Sequence, residues 1–384
     1  MQFEFSTANR IIFGAGALKQ AGPYAASIGR KALVVTGSDP QRAQPLLDQL
    51  SAQNLDSTVI RIVAEPTLDI IETALVTVRD RQTDLVIGIG GGSVVDAGKA
   101  IAALATNPGD IRDYLEVIGA GKPLTNTPLP YVAIPTTAGT GSEVTRNAVL
   151  KAPAEQVKVS LRSPLMLPQL AIVDPELTLS LPPHATAATG MDALTQLWEA
   201  FISRRANPFT SALCREGLKR VARSIKRAFT HPEDLNARQD MSLASLFSGL
   251  ALANAGLGAV HGIAGPLGGM CDAPHGAACA RLLPEVAAAN LKALLERQPD
   301  SPSVARFLEA AQILTQSASA STQSGIRWLQ DLCSGFEIPS LSDCGFKADQ
   351  VPRLIEQSQQ ASSMKGNPIE LTENELDAVI RSAL

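Results

Sequence analysis

Short apolar runs alternate with amphipathic stretches along the first half of the chain. The apolar runs are rich in Val and Ile and occupy residues 31–36, 58–63, 84–89 and 130–135. Between them, residues 45–53 and 70–81 show the apolar spacing of helices. This alternation of strands and helices predicts a parallel sheet covered by helices on both faces.

The pattern changes near residues 179–183, beyond which β-branched runs nearly vanish. Helices are expected over residues 183–203, 208–228, 237–255, 303–314 and 323–332. Thr372 is placed to cap a final amphipathic helix. We therefore expect two domains, an α/β domain over residues 1–183 and a helical domain over residues 184–384.

Composition narrows the class of protein. The chain has 384 residues, a net charge of −4 and only 4% aromatic residues, which gives no reason to expect nucleic acid or an anionic membrane as partner. Its five cysteines form no CxxC pair, and we find neither a secretion signal nor an apolar run of membrane-spanning length. A reducing cytoplasm is the expected location.

A glycine-rich turn follows the third apolar run. Four of residues 88–92 are glycines, and Ser93 then begins a helical stretch. Glycines let backbone N–H groups approach a phosphate, and the start of a helix attracts an anion. The spacing is not GxGxxG, so a tight turn that binds nothing remains the alternative. A second turn, residues 135–145, carries five hydroxyl side chains suited to ribose or phosphate oxygens.

Four potential metal ligands occur in the second half. Asp192 and Gln196 are four residues apart and would share one face of a helix, while His261 and His275 follow later. Mixed nitrogen and oxygen ligands suit Fe²⁺, Zn²⁺, Mn²⁺ or Co²⁺. Each residue could equally be a capping, buried or turn residue, and spacing alone does not decide between these roles.

Together these motifs resemble the iron-containing alcohol dehydrogenase family. The matching segments follow the family order and are residues 88–100, 107–110, 134–143, 172–178, 189–194, 258–261 and 274–276. The resemblance implies a dinucleotide-binding α/β domain, an all-helical second domain of the dehydroquinate synthase-like architecture, and an active site between them. It also implies a homodimer.

The resemblance further implies the site residues. Asp192, His261 and His275 match three of the family's four metal ligands, for Fe²⁺ or another divalent ion such as Zn²⁺. The implied contacts to NAD or NADP are Gly37, Gly90, Gly91, Gly92, Ser93, Asp96, Thr136, Thr137, Ser142, Lys158, Leu177 and Thr178. The implied reaction is hydride transfer between a small alcohol and nicotinamide, with the metal stabilising the alkoxide.

Three positions depart from the family pattern. Gln196 stands where the fourth ligand, a histidine, is expected, and could be a weak ligand or a substrate contact. Gly265 replaces a further histidine assigned to proton transfer, which leaves that role to water, a ribose hydroxyl, Cys271, Asp272 or another group. Gly37 occupies the position of an aspartate that excludes NADP, so NADP should be tolerated, although Asp39 lies nearby.

These departures keep other functions open. One is a metal-independent oxo-acid reductase of the maleylacetate reductase type. Another is a lyase or synthase on the same fold. A third is a binding protein that retains cofactor but has lost turnover.

Overall fold

The computed structural model describes residues 2–155, 157–271 and 273–384, which fall into two units by their internal contacts. The α/β unit comprises Thr7–Thr137 and Gly141–Leu179. The helical unit comprises residues 2–6, Ala138–Thr140 and Ser180–Leu384. The sequence predicts two domains with limits at 1–183 and 184–384, and these limits stay a prediction.

A six-stranded parallel sheet forms the centre of the α/β unit. Its strands lie in the order β1-β8-β5-β4-β2-β3, and β6 and β7 form a separate antiparallel pair. The strands are β1 (Ile11–Phe13), β2 (Lys31–Thr36), β3 (Asp56–Arg61), β4 (Leu85–Gly90), β5 (Tyr131–Pro135), β6 (Asn147–Ala152), β7 (Val157–Arg162) and β8 (Leu170–Val173). The predicted parallel sheet is confirmed.

Helices cover both faces of this sheet. They are α1 (Ala21–Ile28), α2 (Gln44–Ala52), α3 (Leu68–Arg81) and α4 (Gly92–Leu104). Side chains alternate along β2, so that Leu33 and Val35 pack with α3 and α4 while Val34 packs with α1 and α2. Both faces are therefore buried, which explains why the strands read as unbroken apolar runs.

The predicted strands match the structure to within two residues, and β2 matches at both ends. The sequence did not predict β1, β8 or the β6–β7 pair. β1 has three residues and β8 has four, which is too short for a periodic signal. The antiparallel pair carries Lys151 and Lys158, so it lacks the apolar content of a buried strand.

Nine helices are described in the helical unit. They are α5 (Pro183–Ile202), α6 (Pro208–Thr230), α7 (Leu235–Ala255), α8 (Ala259–Met270), α9 (His275–Arg297), α10 (Pro302–Thr315), α11 (Thr322–Gly335), α12 (Val351–Gln360) and α13 (Glu373–Ala383). The predicted helical character is confirmed, and Thr372 caps α13 in a capping box with Glu375. Among the described residues, no single helix is long and apolar enough to span a membrane; α7 and α8 meet that criterion only as a pair bent by 98°.

Two glycines of the predicted phosphate-binding turn, Gly88 and Gly90, lie where a larger residue would overlap a neighbouring side chain. The buried Tyr131 donates a hydrogen bond to Val95 O at 2.9 Å, and its side chain occupies the space that a Cβ at Gly88 or Gly98 would need. A Cβ at Gly90 would lie 2.7 Å from Val94 Cβ. Gly88 and Gly90 are therefore required by packing within the unit.

We predict that Gly88→Ala lowers the free energy of unfolding by about 1–3 kcal/mol, because the new methyl overlaps the Tyr131 hydroxyl. Tyr131→Phe should recover most of this loss, since the nearest remaining ring carbon would lie 3.3 Å from the new Cβ. Urea denaturation of the parent, both single variants and the double variant measures the coupling.

Gly37→Ala is a matched control, because its new Cβ would meet Val94 Cγ2 at 3.9 Å, an ordinary contact. Its unfolding midpoint should stay close to that of the parent. Strictly additive effects of Gly88→Ala and Tyr131→Phe would contradict the steric explanation.

Candidate functional site

Most of the predicted cofactor residues follow the carboxyl ends of neighbouring parallel strands. Gly37 follows β2, Gly91 follows β4, Thr136 and Thr137 follow β5, and Leu177 lies shortly beyond β8. The strand order reverses between β2 and β4, since the chain leaves these strands toward opposite edges of the sheet. Ligands of open α/β sheets bind at such a reversal, at the carboxyl ends of the strands.

The turn after β4 leads directly into α4. Gly91 precedes the first residue of α4, and among the described residues no side chain caps this end of the helix. The N–H groups of Gly92 and Ser93 therefore have no partner within the helix and can bind an anion. A Cβ at Gly91 would meet Thr137 Cγ2 at 3.4 Å, so the two predicted turns lie side by side.

A buried lysine that the sequence analysis missed organises the second turn. Lys99 Nζ donates to Ser142 Oγ at 2.7 Å, to Ser142 O at 2.9 Å and to Thr145 Oγ1 at 2.9 Å. Asp96 Oδ1 lies 3.3 Å from the ammonium and accepts a hydrogen bond from Ser142 Oγ at 2.5 Å. Asp96 and Ser142, both predicted cofactor contacts, thus belong to an internal network that shapes the turn.

The remaining predicted cofactor residues, Lys158, Thr178 and Leu177, contact other groups of the protein. Lys158 lies on β7, outside the six-stranded sheet, and its Nζ lies 2.5 Å from Glu65 Oε1 in the segment after β3. Thr178 is buried and donates to Pro175 O at 2.8 Å. Leu177 packs against the apolar residues that cover one face of the sheet.

In the helical unit, three helices bring the predicted metal ligands together. Asp192 lies on α5, His261 on α8 and His275 at the start of α9. His261 Nε2 lies 3.2 Å from Asp192 Oδ1, and His275 Nε2 lies 3.9 Å from the same oxygen. Asp192 and His261 are buried, while the His275 side chain is 37% exposed. The cluster is therefore accessible on the His275 side.

A fourth ligand type joins this cluster. Cys279 Sγ lies 3.7 Å from His261 Nε2 and 3.7 Å from His275 Nε2. Possible ligand atoms of Asp192, His261, His275 and Cys279 all lie within 4.8 Å of one another. The sequence analysis did not single out Cys279, although its position four residues after His275 would place both on one face of α9.

Glu199 supports the cluster from two turns beyond Asp192 along α5. Its Oε2 accepts a hydrogen bond from His261 Nδ1 at 2.6 Å, and its Oε1 accepts one from Val260 N at 2.7 Å. Carboxylates in this position fix the tautomer and orientation of a metal-binding histidine. Glu199 was also missed, although it is seven residues from Asp192 and so lies on the same helical face.

The charges of the cluster are strongly coupled. Burial alone would raise the pKa of Asp192, but the hydrogen bond to His261 and the neighbouring His275 lower that pKa below its usual range. Burial would lower the pKa of His261, but Cys279 and Asp192 outweigh it and raise that pKa well above its usual range. Burial would raise the pKa of the Cys279 thiol, but the two histidines outweigh this effect and lower that pKa below its usual range. Positive charge is thus favoured among the imidazoles and negative charge on their partners.

Gln196 is occupied by other partners. Its Oε1 accepts a hydrogen bond from Ser248 Oγ at 2.9 Å, and its side chain is hydrogen-bonded to Asp192. At Gly265, a Cβ would meet no described atom within 4 Å, so there is open space where the family has a histidine. Cys271 Sγ donates to Leu267 O within α8, and Asp272 lies outside the described residues.

Comparison with known proteins identifies relatives along the whole chain. A family model described as iron-containing alcohol dehydrogenase matches residues 8–175, and a second, for the C-terminal part of that family, matches residues 186–384. The chain is 36% identical to the 1,3-propanediol dehydrogenase of Klebsiella pneumoniae, over 99% of this chain and 98% of that protein. It is 33% identical to alcohol dehydrogenase 4 of Saccharomyces cerevisiae strain S288c, over 97% and 96% of the two chains.

Solved structures agree with this relationship. A crystal structure of a 1,3-propanediol oxidoreductase superimposes with a TM-score of 0.92 and 34% identity, covering 100% of both chains. The sulfoacetaldehyde reductase of Bifidobacterium kashiwanohense, solved in complex with NAD⁺, gives a TM-score of 0.87 and 28% identity over 100% of this chain and 99% of that one.

The buried Glu143 yields a prediction of pH-dependent stability. Burial raises its pKa to about 7 from an ordinary 4.5, so the folded protein holds this proton more tightly than the unfolded chain. Stability should therefore fall as pH rises from about 4.5 to about 7. Glu143→Gln cannot ionise, and it should reduce the loss of unfolding free energy between pH 5 and pH 8 by up to about 3 kcal/mol.

Urea denaturation at pH 5, 6, 7 and 8 measures this difference. If Glu143→Gln and the parent lose stability equally over that range, Glu143 does not titrate as described.

Proposed function

Because the chain belongs to the iron-containing alcohol dehydrogenase family, we propose that it interconverts a small alcohol and its aldehyde or ketone, with NAD(P) and a divalent metal ion as cofactors. Its relatives named above as alcohol and diol dehydrogenases make it an oxidoreductase of alcohols. The proposal adds the metal, the nicotinamide cofactor and the residues that hold them.

The observation that carries the proposal is the convergence of Asp192, His261 and His275. The hydrogen bond from His261 Nδ1 to Glu199 leaves His261 Nε2 facing Asp192, where it can bind a metal ion on release of its proton. A buried carboxylate and two imidazole nitrogens form a donor set that suits Fe²⁺ or Zn²⁺. When bound, such an ion supplies a Lewis acid for the substrate oxygen.

The chain's own residues then position the reactants. Glu199 holds His261 in place, and the partly exposed His275 leaves the cluster open to a small molecule. In the α/β unit, Gly92 and Ser93 offer N–H groups to a pyrophosphate, and Thr136 and Thr137 offer hydroxyls beside them. A nicotinamide cofactor held there would supply the hydride chemistry.

Three rival functions call for a direct test, because Gln196 and Gly265 depart from the family pattern. A metal-independent reductase acting on an acidic oxo-acid would keep the cofactor site but would not need the cluster. A lyase or synthase would show no change in nicotinamide absorbance, and a binding protein would bind cofactor without turnover.

We expect turnover of 1,3-propanediol or simple primary alcohols, followed by nicotinamide absorbance, to disappear on chelation and return with Fe²⁺, Zn²⁺, Co²⁺ or Mn²⁺. His261→Ala and His275→Ala should each reduce kcat/KM by at least about 100-fold, because each removes a metal ligand. His231→Ala, at an exposed histidine of the same unit, is the control and should leave turnover unchanged. Full activity after chelation would favour the metal-independent reductase.

Arg61 supports the use of NADP. Pairing of β2 with β3 sets Arg61 beside Thr36, and its guanidinium donates to Ser38 O at 2.5 Å. The nearby Asp39 carboxylate instead accepts a hydrogen bond from Gln41 N at 3.0 Å and caps the short helix Pro40–Ala43. The guanidinium of Arg61 would attract a 2′-phosphate, and Gly37 has no carboxylate to repel it. Both features therefore favour a nucleotide with a 2′-phosphate.

We predict that Arg61→Ala raises KM for NADPH by about tenfold or more, since a charged hydrogen bond is worth about 1.5–3 kcal/mol, and changes KM for NADH much less. Gly37→Asp should act in the same direction by repelling the 2′-phosphate. Arg79→Ala, an exposed position near the carboxyl end of α3, is the control. Equal effects of Arg61→Ala on both cofactors would contradict this role.

We also propose that the protein is a homodimer and is located in the cytoplasm. We expect neither nucleic acid nor a membrane as its partner. The family resemblance supports the dimer. Free thiols at Cys214, Cys271, Cys279, Cys333 and Cys344 support a reducing compartment.

A further inference from the structure

Cys279 is the one member of the cluster for which the proposed function gives no role. It is fully buried on α9, and its sulfur is equally distant, at 3.7 Å, from the Nε2 atoms of His261 and His275. The thiol therefore lies in the same group of converging atoms as the Asp192 carboxylate.

Each of the converging atoms can bind a metal ion once its proton is released. His261 donates through Nδ1 to Glu199, so Nε2 is the ring nitrogen that faces the cluster. This atom lies beside the Asp192 carboxylate and the Cys279 sulfur, and the sulfur also lies beside His275 Nε2. A shared cation would take the place of the protons between these groups.

Gln196 is poorly placed to be the fourth ligand. Its oxygen is the atom that would bind a metal, and that oxygen accepts the hydrogen bond from Ser248 Oγ. Its side chain is also hydrogen-bonded to Asp192, which makes it a support for the carboxylate. The amide oxygen at the position where the family has a histidine is thus already within hydrogen-bond distance of the Ser248 hydroxyl, at 2.9 Å.

We propose that Cys279 is the fourth protein ligand of the metal, in place of the histidine missing at position 196. This inference rests on the proposed function, in that the cluster must hold a divalent metal. On binding, the thiol loses its proton to solvent and a sulfur–metal bond forms, with no change in oxidation state. A thiolate among these ligands should favour Zn²⁺ and Co²⁺ over Mn²⁺ and Mg²⁺.

The distances fit a tetrahedral ion. From zinc bond lengths of about 2.0–2.2 Å to nitrogen and oxygen and about 2.3 Å to sulfur, a tetrahedron has nitrogen–sulfur edges of about 3.6 Å and nitrogen–oxygen edges of about 3.4 Å. The two observed nitrogen–sulfur distances are both 3.7 Å, and the nitrogen–oxygen distances are 3.2 and 3.9 Å. A substrate oxygen would then be a fifth ligand, a coordination number that catalytic zinc sites reach.

Absorption spectroscopy of the Co²⁺-loaded full-length protein tests the assignment. A thiolate ligand gives an intense near-ultraviolet charge-transfer band that nitrogen and oxygen ligands do not give. We expect the parent to show this band, Cys279→Ser to lose it, and Cys214→Ser, at a buried cysteine outside the cluster, to keep it. X-ray absorption of the Zn²⁺ form should show one sulfur at about 2.3 Å in the parent and none in Cys279→Ser.

Affinity measurements with Zn²⁺ provide a second readout. Cys279→Ser should weaken binding by more than about tenfold, since even a supporting partner of a ligand is worth 10- to 100-fold. Adding Gln196→His to Cys279→Ser should restore affinity without restoring the band, because an imidazole would take the vacant place.

The outcomes separate the two proposals. A parent that binds one Co²⁺ without a charge-transfer band, or a Cys279→Ser variant that binds as the parent does, overturns the role of Cys279 and leaves the metal centre standing. A parent that binds no metal ion overturns both the role of Cys279 and the metal-dependent function.

Discussion

The hydrogen bond between Glu199 and His261 is the interaction on which the helical-unit cluster depends. Glu199 is buried on α5, and both of its oxygens accept hydrogen bonds from α8. One oxygen accepts from Val260 N at the start of α8, which Gly258 begins without a side-chain cap, and the other fixes the Nδ1 proton of His261. With that proton on Nδ1, Nε2 is the ring nitrogen that faces Asp192 and can bind a metal ion.

Lys99 has a comparable role in the α/β unit. Its ammonium is buried beneath the turn after β5 and donates to the backbone and side chains of that turn. Asp96 completes the network by accepting from Ser142 Oγ and from Val149 N. A buried charge that is fully paired in this way costs less than an unpaired one, and it holds an irregular backbone in one shape.

The departures at positions 196 and 265 have different structural consequences. At position 196, an amide stands in place of the expected imidazole and lies beside Ser248 and Asp192, while a thiol on α9 joins the cluster. At position 265, the missing histidine leaves open space among the described residues. The first change therefore leaves a polar side chain within the packed helices, whereas the second removes a side chain without replacing it.

Apolar periodicity and helix caps are local signals, and they predicted the fold class and most elements. The resemblance of short motifs to a family supplied three members of the cluster, and the other members depend on how the helices pack. Asp192 and His261 are 69 residues apart, and only the packing of α5, α8 and α9 brings them, with Cys279 and Glu199, to one point. The glycine turn shows the same limit: Gly88 resembles a phosphate-binding residue, yet the side chain of Tyr131, distant in sequence, requires a glycine there. Which side chain fills a given space depends on neighbours distant in sequence, and local patterns carry no record of those neighbours.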